Sequence, residues 1–138
     1  MIYVIIQFVC IIYLMINAQF DHLDVLSTLL IVLSVIIGLL AVVNMRLSNL
    51  SIVPALKDRH QLVTHGIYRI IRHPMYTSVL LFSLAFTLTN PHSLSLLIML
   101  VLFIDLILKS SVEEALLTER FNTYYDYKNK TGRFLPFL

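Results

Sequence analysis

Two short stretches hold most of the side chains able to do chemistry. The first, LVTHGIYRIIRHPMY over residues 62–76, sets Arg72, His73 and Pro74 directly ahead of an apolar run. The second is the acidic pair Glu113 and Glu114, preceded at four-residue steps by Lys109 and Asp105. A proline in a first helical turn costs no hydrogen bond, because that N–H has no partner anyway. A helix beginning at Pro74 would turn unpaired N–H groups and its positive dipole end outward beside Arg72 and His73. Such an entry suits a carboxylate or a phosphate.

The elements that must position these residues are membrane elements. Of 138 residues 59% are hydrophobic and only 13% charged, about half the share usual in a soluble domain. Residues 1–20 carry no charge and no cleavage signal, so they read as a retained first span. Residues 25–45 form a second uncharged run, with Gly38 as a close-packing point. Residues 74–89 and 94–109 form an apolar pair around an Asn90-Pro91 turn. The predicted fold is therefore all-α and integral to the membrane: four transmembrane helices in one domain, followed by a cytoplasmic tail over 110–138 with an amphipathic helix from Val112 to Lys130. Residues 47–66 are expected to form a loop or an interfacial helix.

All ten Lys and Arg residues fall either between the second and third spans or at and beyond the foot of the fourth, and the two opposite turns have none. By the positive-inside rule both termini and the 62–76 stretch are cytoplasmic. The lone Cys10 excludes an internal disulfide, His22, His65 and His92 have no metal-binding spacing, and a net charge of +2 is too small to argue for nucleic acid.

His73 stands about 17 residues before the Asn90-Pro91 turn and Lys109 about 18 after it, so a helical hairpin brings both to one level. Asp105, Lys109 and Glu113 share a helical face that can point at the Arg72-His73-Pro74 segment. The assembled set is an anion-binding helix start, an imidazole, the rings of Tyr68 and Tyr76, a cation and a carboxylate. It matches a zwitterionic, positively charged ligand such as S-adenosylmethionine, although a nucleotide or an anionic lipid headgroup would satisfy much of it. Blander roles remain open for the same residues: Arg72 and His73 as interfacial anchors, the tyrosines as an aromatic belt, the glutamates as partners of a helix dipole, and Asp105 as an ion-pair partner of Lys109.

From His60 to Leu138 the chain resembles the isoprenylcysteine carboxyl methyltransferase family and its small prokaryotic relatives, themselves related to phospholipid N-methyltransferases. The likeness rests on HQLVTHGIYRIIRHPMY and on KSSVEEALLTERFNTYYDYKNKTGRFLP, with the Asn90-Pro91 turn between them. It implies an S-adenosylmethionine-dependent membrane enzyme that methylates a lipophilic carboxylate, amine or thiol. It also implies cofactor contacts from His60, Gln61, Leu62, Val63, Tyr68, His73, Pro74, Met75, Tyr76 and Glu113. The family commonly has glycine where this chain has Ser78 and Asn122. Its acceptor-facing arginine is Lys109 here, which keeps the charge and loses the two-pronged grip on a carboxylate. Two alternatives stand beside this reading: a membrane reductase binding a nicotinamide nucleotide through similar last helices, and a non-catalytic lipid- or partner-binding protein.

Overall fold

The computed structural model describes residues 1–45, 49–50, 58 and 61–138, so His60 and most of the 47–66 segment lie outside the described residues. The described chain is helical: α1 (Ile2–Asn17), α2 (Val25–Asn44), α3 (Pro74–Thr89), α4 (Ser93–Arg120) and α5 (Tyr124–Lys130), with 3-10 turns at Phe20–His22 and Gly66–Arg69. Of these, α2 and α4 are long and apolar enough to cross a membrane, while α1 and α3 are apolar but have 16 residues each.

The starts follow local chemistry. Asp24 caps α2 by accepting the Ser27 N–H at 2.8 Å, His92 caps α4 through the Ser95 N–H at 3.2 Å, and Pro74 opens α3. The fourth apolar run does not end its helix at residue 109. Nothing in Lys109–Arg120 interrupts a helix, since the stretch has neither glycine nor proline, so α4 runs unbroken through the acidic pair to a C-cap at Phe121. The predicted helix from Val112 to Lys130 is accordingly split, its second half being the separate α5.

Packing is inverted relative to a water-soluble bundle. Helix α2 buries Ser27, Ser34 and Ala41, seven residues apart, and turns Leu29, Val32, Val35, Ile36, Leu39 and Val43 outward. Small residues at helix contacts with aliphatic side chains outside is the arrangement lipid selects. At the α2–α3 contact, Ser34 Oγ donates to Ser78 O at 2.9 Å and Ser78 Oγ to Ser34 O at 2.8 Å. Each such bond contributes about 0.6 kcal/mol between membrane helices. Gly38 makes the approach possible, because a Cβ there would stand 2.8 Å from Ser78 Oγ. At the end away from the acidic pair, Asn90 Nδ2 donates to Asn17 O at 3.0 Å and ties the two turns together. At the other end Asn44 Oδ1 accepts the Ile67 N–H at 2.9 Å, closing α2 onto the turn that leads into α3. Gly66 sits there at φ 60, and a Cβ would collide with the Asn44 side chain.

Candidate functional site

The hairpin register brings the two chemistry-bearing stretches into contact. Tyr76 Oη, on the first turn of α3, donates to Glu113 Oε1 at 2.5 Å across to α4. The His73 imidazole lies between the two acids, with Nδ1 3.6 Å from Glu113 Oε2 and Nε2 3.2 Å from Glu114 Oε1. Its ring stacks on that of Tyr76 at 5.3 Å and 8°, and Phe134 closes over both at 6.2 and 6.4 Å. The Lys109 ammonium rests over the Tyr76 ring, 4.9 Å from its centre.

Glu114, named in the sequence only as half of an acidic pair, is the hub. It is 2% exposed. Its Oε1 is 2.9 Å from Arg72 Nε, and its Oε2 is 3.0 Å from Lys128 Nζ and 3.3 Å from Arg133 Nη2. A buried carboxylate needs this many partners to offset its desolvation. One side chain thereby joins the head of α3, the last two turns of α4, α5 and the C-terminal segment.

That segment corrects the expected anion site at the start of α3. The Arg72 and His73 N–H groups donate to Gly132 O at 2.8 Å and Arg133 O at 3.0 Å, while the Gly132 N–H returns to Ile70 O at 3.0 Å. Thr77 Oγ1 adds a bond to Phe134 O at 2.6 Å. The Arg72 guanidinium is spent on Glu114 and on the carbonyls of Lys128 and Thr131. The tail thus fills much of the role assigned to a bound anion.

The remaining predicted residues divide. Val63, Tyr68 and Ala41 form a buried cluster with Met75 packed against it, and Pro74 is buried beside His73. Gln61 is held through its backbone, its N–H reaching Asn49 Oδ1 at 2.9 Å and its carbonyl accepting Asn49 Nδ2 at 2.6 Å; Leu62 beside it is half-buried. Tyr68 is buried, its phenol donates to Ala41 O at 3.4 Å, and burial raises its pKa. Tyr127, pushed up to about 12 by burial, donates to Tyr68 O at 2.6 Å.

Lys109 does not pair with Asp105. It is 2% exposed and donates to Gln7 Oε1 at 2.9 Å, whereas both Asp105 oxygens have no hydrogen-bond partner among the described residues. Gln7, in an otherwise apolar helix, escaped the sequence reading; its one signal is being the first side-chain amide in an uncharged run. An apolar cleft of 610 Å³ runs along α3 and α4 beneath the tail, lined by Leu80, Leu84, Met99, Phe103 and Phe134 with Arg72 and Arg133 at one end. Neither Lys109 nor Glu113 lines it.

Residues 23–124 match the family model described as phospholipid methyltransferase. Two curated proteins described as probable protein-S-isoprenylcysteine O-methyltransferase, from Oryza sativa subsp. indica and subsp. japonica, are each 35% identical over 85 residues, 59% of this chain and 44% of theirs. The chain therefore spans less than half the length of these relatives. The matched region contains α2, α3, α4 and every residue of the His73–Tyr76–Glu113 contact, and the chain belongs to the phospholipid methyltransferase family.

Proposed function

We propose that this chain is a single-domain, multi-pass membrane methyltransferase that uses S-adenosylmethionine to methylate a lipophilic acceptor. The observation that carries the reading is the meeting of two sequence blocks 37 residues apart, in which Tyr76 and His73 converge on Glu113. The donor set fits the cofactor. Glu113 keeps lone pairs beyond the one used by Tyr76 and its side chain is 20% exposed, as a partner for an ammonium requires. His60, Gln61, Leu62, Val63, Tyr68, His73, Pro74, Met75 and Tyr76 complete the proposed binding set, with Val63 and Tyr68 as its packed wall.

When bound, S-adenosylmethionine supplies a methyl group already activated on a sulfonium, so the chain's own task is alignment and the exclusion of water. Val63, His73, Tyr76 and Glu113 would hold the donor, which would supply an electrophilic methyl carbon to the acceptor's nucleophilic atom and keep the released electron pair on its sulfur. Lys109 holds or polarises the acceptor. A carboxylate acceptor is ionised at neutral pH and needs no base, whereas an amine or thiol gives up a proton, which His73 or His60 takes.

The proposed topology has four spans, with α1 and α3 reaching about 24 Å each and borrowing flanking residues to cross. Both termini, α5 and the site lie on the cytoplasmic side, a placement supported by all ten Lys and Arg residues falling at that end. The test is transfer of a labelled methyl group from S-adenosylmethionine into extracted membrane lipids, long-chain thiols and prenylated cysteines. The proposal expects label in one of these fractions and its loss in Glu113→Gln. Folded protein that labels none of them would refute it.

A further inference from the structure

The face of α4 that runs through Met99, Phe103, Ile107, Ser111 and Ala115 advances in steps of four and changes character once along its length. Its first three residues wall the 610 Å³ apolar cleft, and its last two wall a second, more polar cavity of 600 Å³. Arg133 lines both, so it stands where the apolar half meets the polar half. Its Nη1 donates to Ser111 Oγ at 3.2 Å and its Nη2 to Glu114 Oε2 at 3.3 Å, which leaves guanidinium donors to spare. The Arg133 side chain is 28% exposed, and that of Lys128, which also lines the polar cavity, is 42% exposed. Arg72, Lys128 and Arg133 set three fixed positive charges around this junction against Glu114 and Glu119, so positive charge is in surplus there.

This lane is separate from the proposed methyl-transfer site. Lys109 and Glu113 line neither cavity, and Phe134, in contact with Phe103 of the cleft at 6.3 Å and with the His73 and Tyr76 rings at 6.2 and 6.4 Å, stands between the two. An apolar lane that ends at a cationic junction complements one kind of bilayer molecule, an acyl chain with a negatively charged head. A guanidinium grips paired phosphate oxygens, whereas a zwitterionic head would bring its own ammonium against Arg133 and Lys128. We propose that an anionic phospholipid occupies this lane, its acyl chain along Met99, Phe103 and Ile107 and its phosphate on Arg133 and Lys128. By packing against Phe134 from the cleft side it fastens residues 131–138 over the head of α3. The lipid is bound and released unchanged, so the proposal does not rest on the methyltransferase reading.

The chain has no tryptophan of its own, so Phe103→Trp places a single reporter in the cleft, with Met99→Trp as a second. The full chain carrying either reporter, in detergent micelles, is titrated with phosphatidylglycerol or phosphatidylcholine whose brominated acyl chains quench tryptophan on contact. Phosphatidylglycerol should reach half-quenching at a mole fraction about fivefold lower than phosphatidylcholine, and the preference should shrink as salt rises. Arg133→Gln should abolish the preference. So should Ser111→Asp, which sets a carboxylate beside Arg133 without removing any partner of Glu114 and decides the matter if the Arg133 variant does not fold. In wild type, phosphatidylglycerol and not phosphatidylcholine should slow main-chain hydrogen exchange across residues 131–138 at least threefold. Equal quenching by the two lipids, a preference that survives Ser111→Asp, or unchanged exchange across residues 131–138 overturns the proposal. Relief of quenching by inorganic phosphate beyond that of chloride at equal ionic strength would assign the junction to a free anion and overturns it too.

Discussion

At the scale of single residues, the two adjacent glutamates divide two tasks. Glu113 is the partly open acid, bonded to Tyr76 and facing His73; Glu114 is the closed one, with four cationic or potentially cationic groups around it. Removing Glu114 would strand buried positive charge, so Glu114→Ala should cost about 3 kcal/mol or more in an unfolding titration in mixed micelles. Glu113→Gln should cost much less. Equal losses from the two would mean that the division of labour is wrong. The sequence showed the acids as an undifferentiated pair because neighbours in a helix point about 100° apart, and which of them faces the basic cluster depends on the register of the α3–α4 hairpin. The Lys109–Gln7 bond was hidden for a related reason: its partners are 102 positions apart and Gln7 sits in a run with no charge to draw notice.

At the scale of elements, the helix starts and the Asn90-Pro91 turn were legible because caps and prolines act locally, whereas the length of α4 was not. The sequence reading ended the apolar span at 109 and gave Val112 to Lys130 as one amphipathic helix, but a helix ends where its backbone loses partners, not where it leaves an apolar layer. The α2–α3 contact was readable at Gly38 alone. Because a Cβ there already approaches Ser78 Oγ at 2.8 Å, Gly38→Val should destabilise the bundle by about 1–3 kcal/mol, read as a lower melting temperature. An unchanged melting temperature would show that this contact is looser than described. Helix α5 is fastened through Tyr127, whose pKa stands above its ordinary value of 10.0. A raised pKa means that the neutral phenol favours the folded form, so this contribution is whole below pH 10 and is lost as pH rises toward about 12. Tyr127→Phe should flatten alkaline unfolding over that window and lower stability by about 1 kcal/mol at neutral pH. Identical alkaline profiles in the two proteins would remove Tyr127 from this role.

At the scale of the whole molecule, the charge distribution, the outward aliphatic faces of α2 and the hairpin register describe one object: a bundle with its polar chemistry gathered at one end. Reporter fusions at residues 1 and 138 should both read as cytoplasmic, and a split result would require an odd number of crossings. Composition made the membrane character plain, and the two motif blocks made the convergence of His73, Tyr76 and Glu113 plain. The tail that covers the head of α3 was not foreseen, since its pairing with Ile70, Arg72 and His73 runs from main chain to main chain and leaves no trace in residue type. The central claim is that this convergence binds the methyl donor, and calorimetric titration of S-adenosylmethionine into wild type, Glu113→Gln and Tyr76→Phe measures it most directly. The account predicts saturable binding by wild type and at least tenfold weaker binding by both variants while each remains folded at the titration temperature. Equal affinity in all three proteins would contradict it.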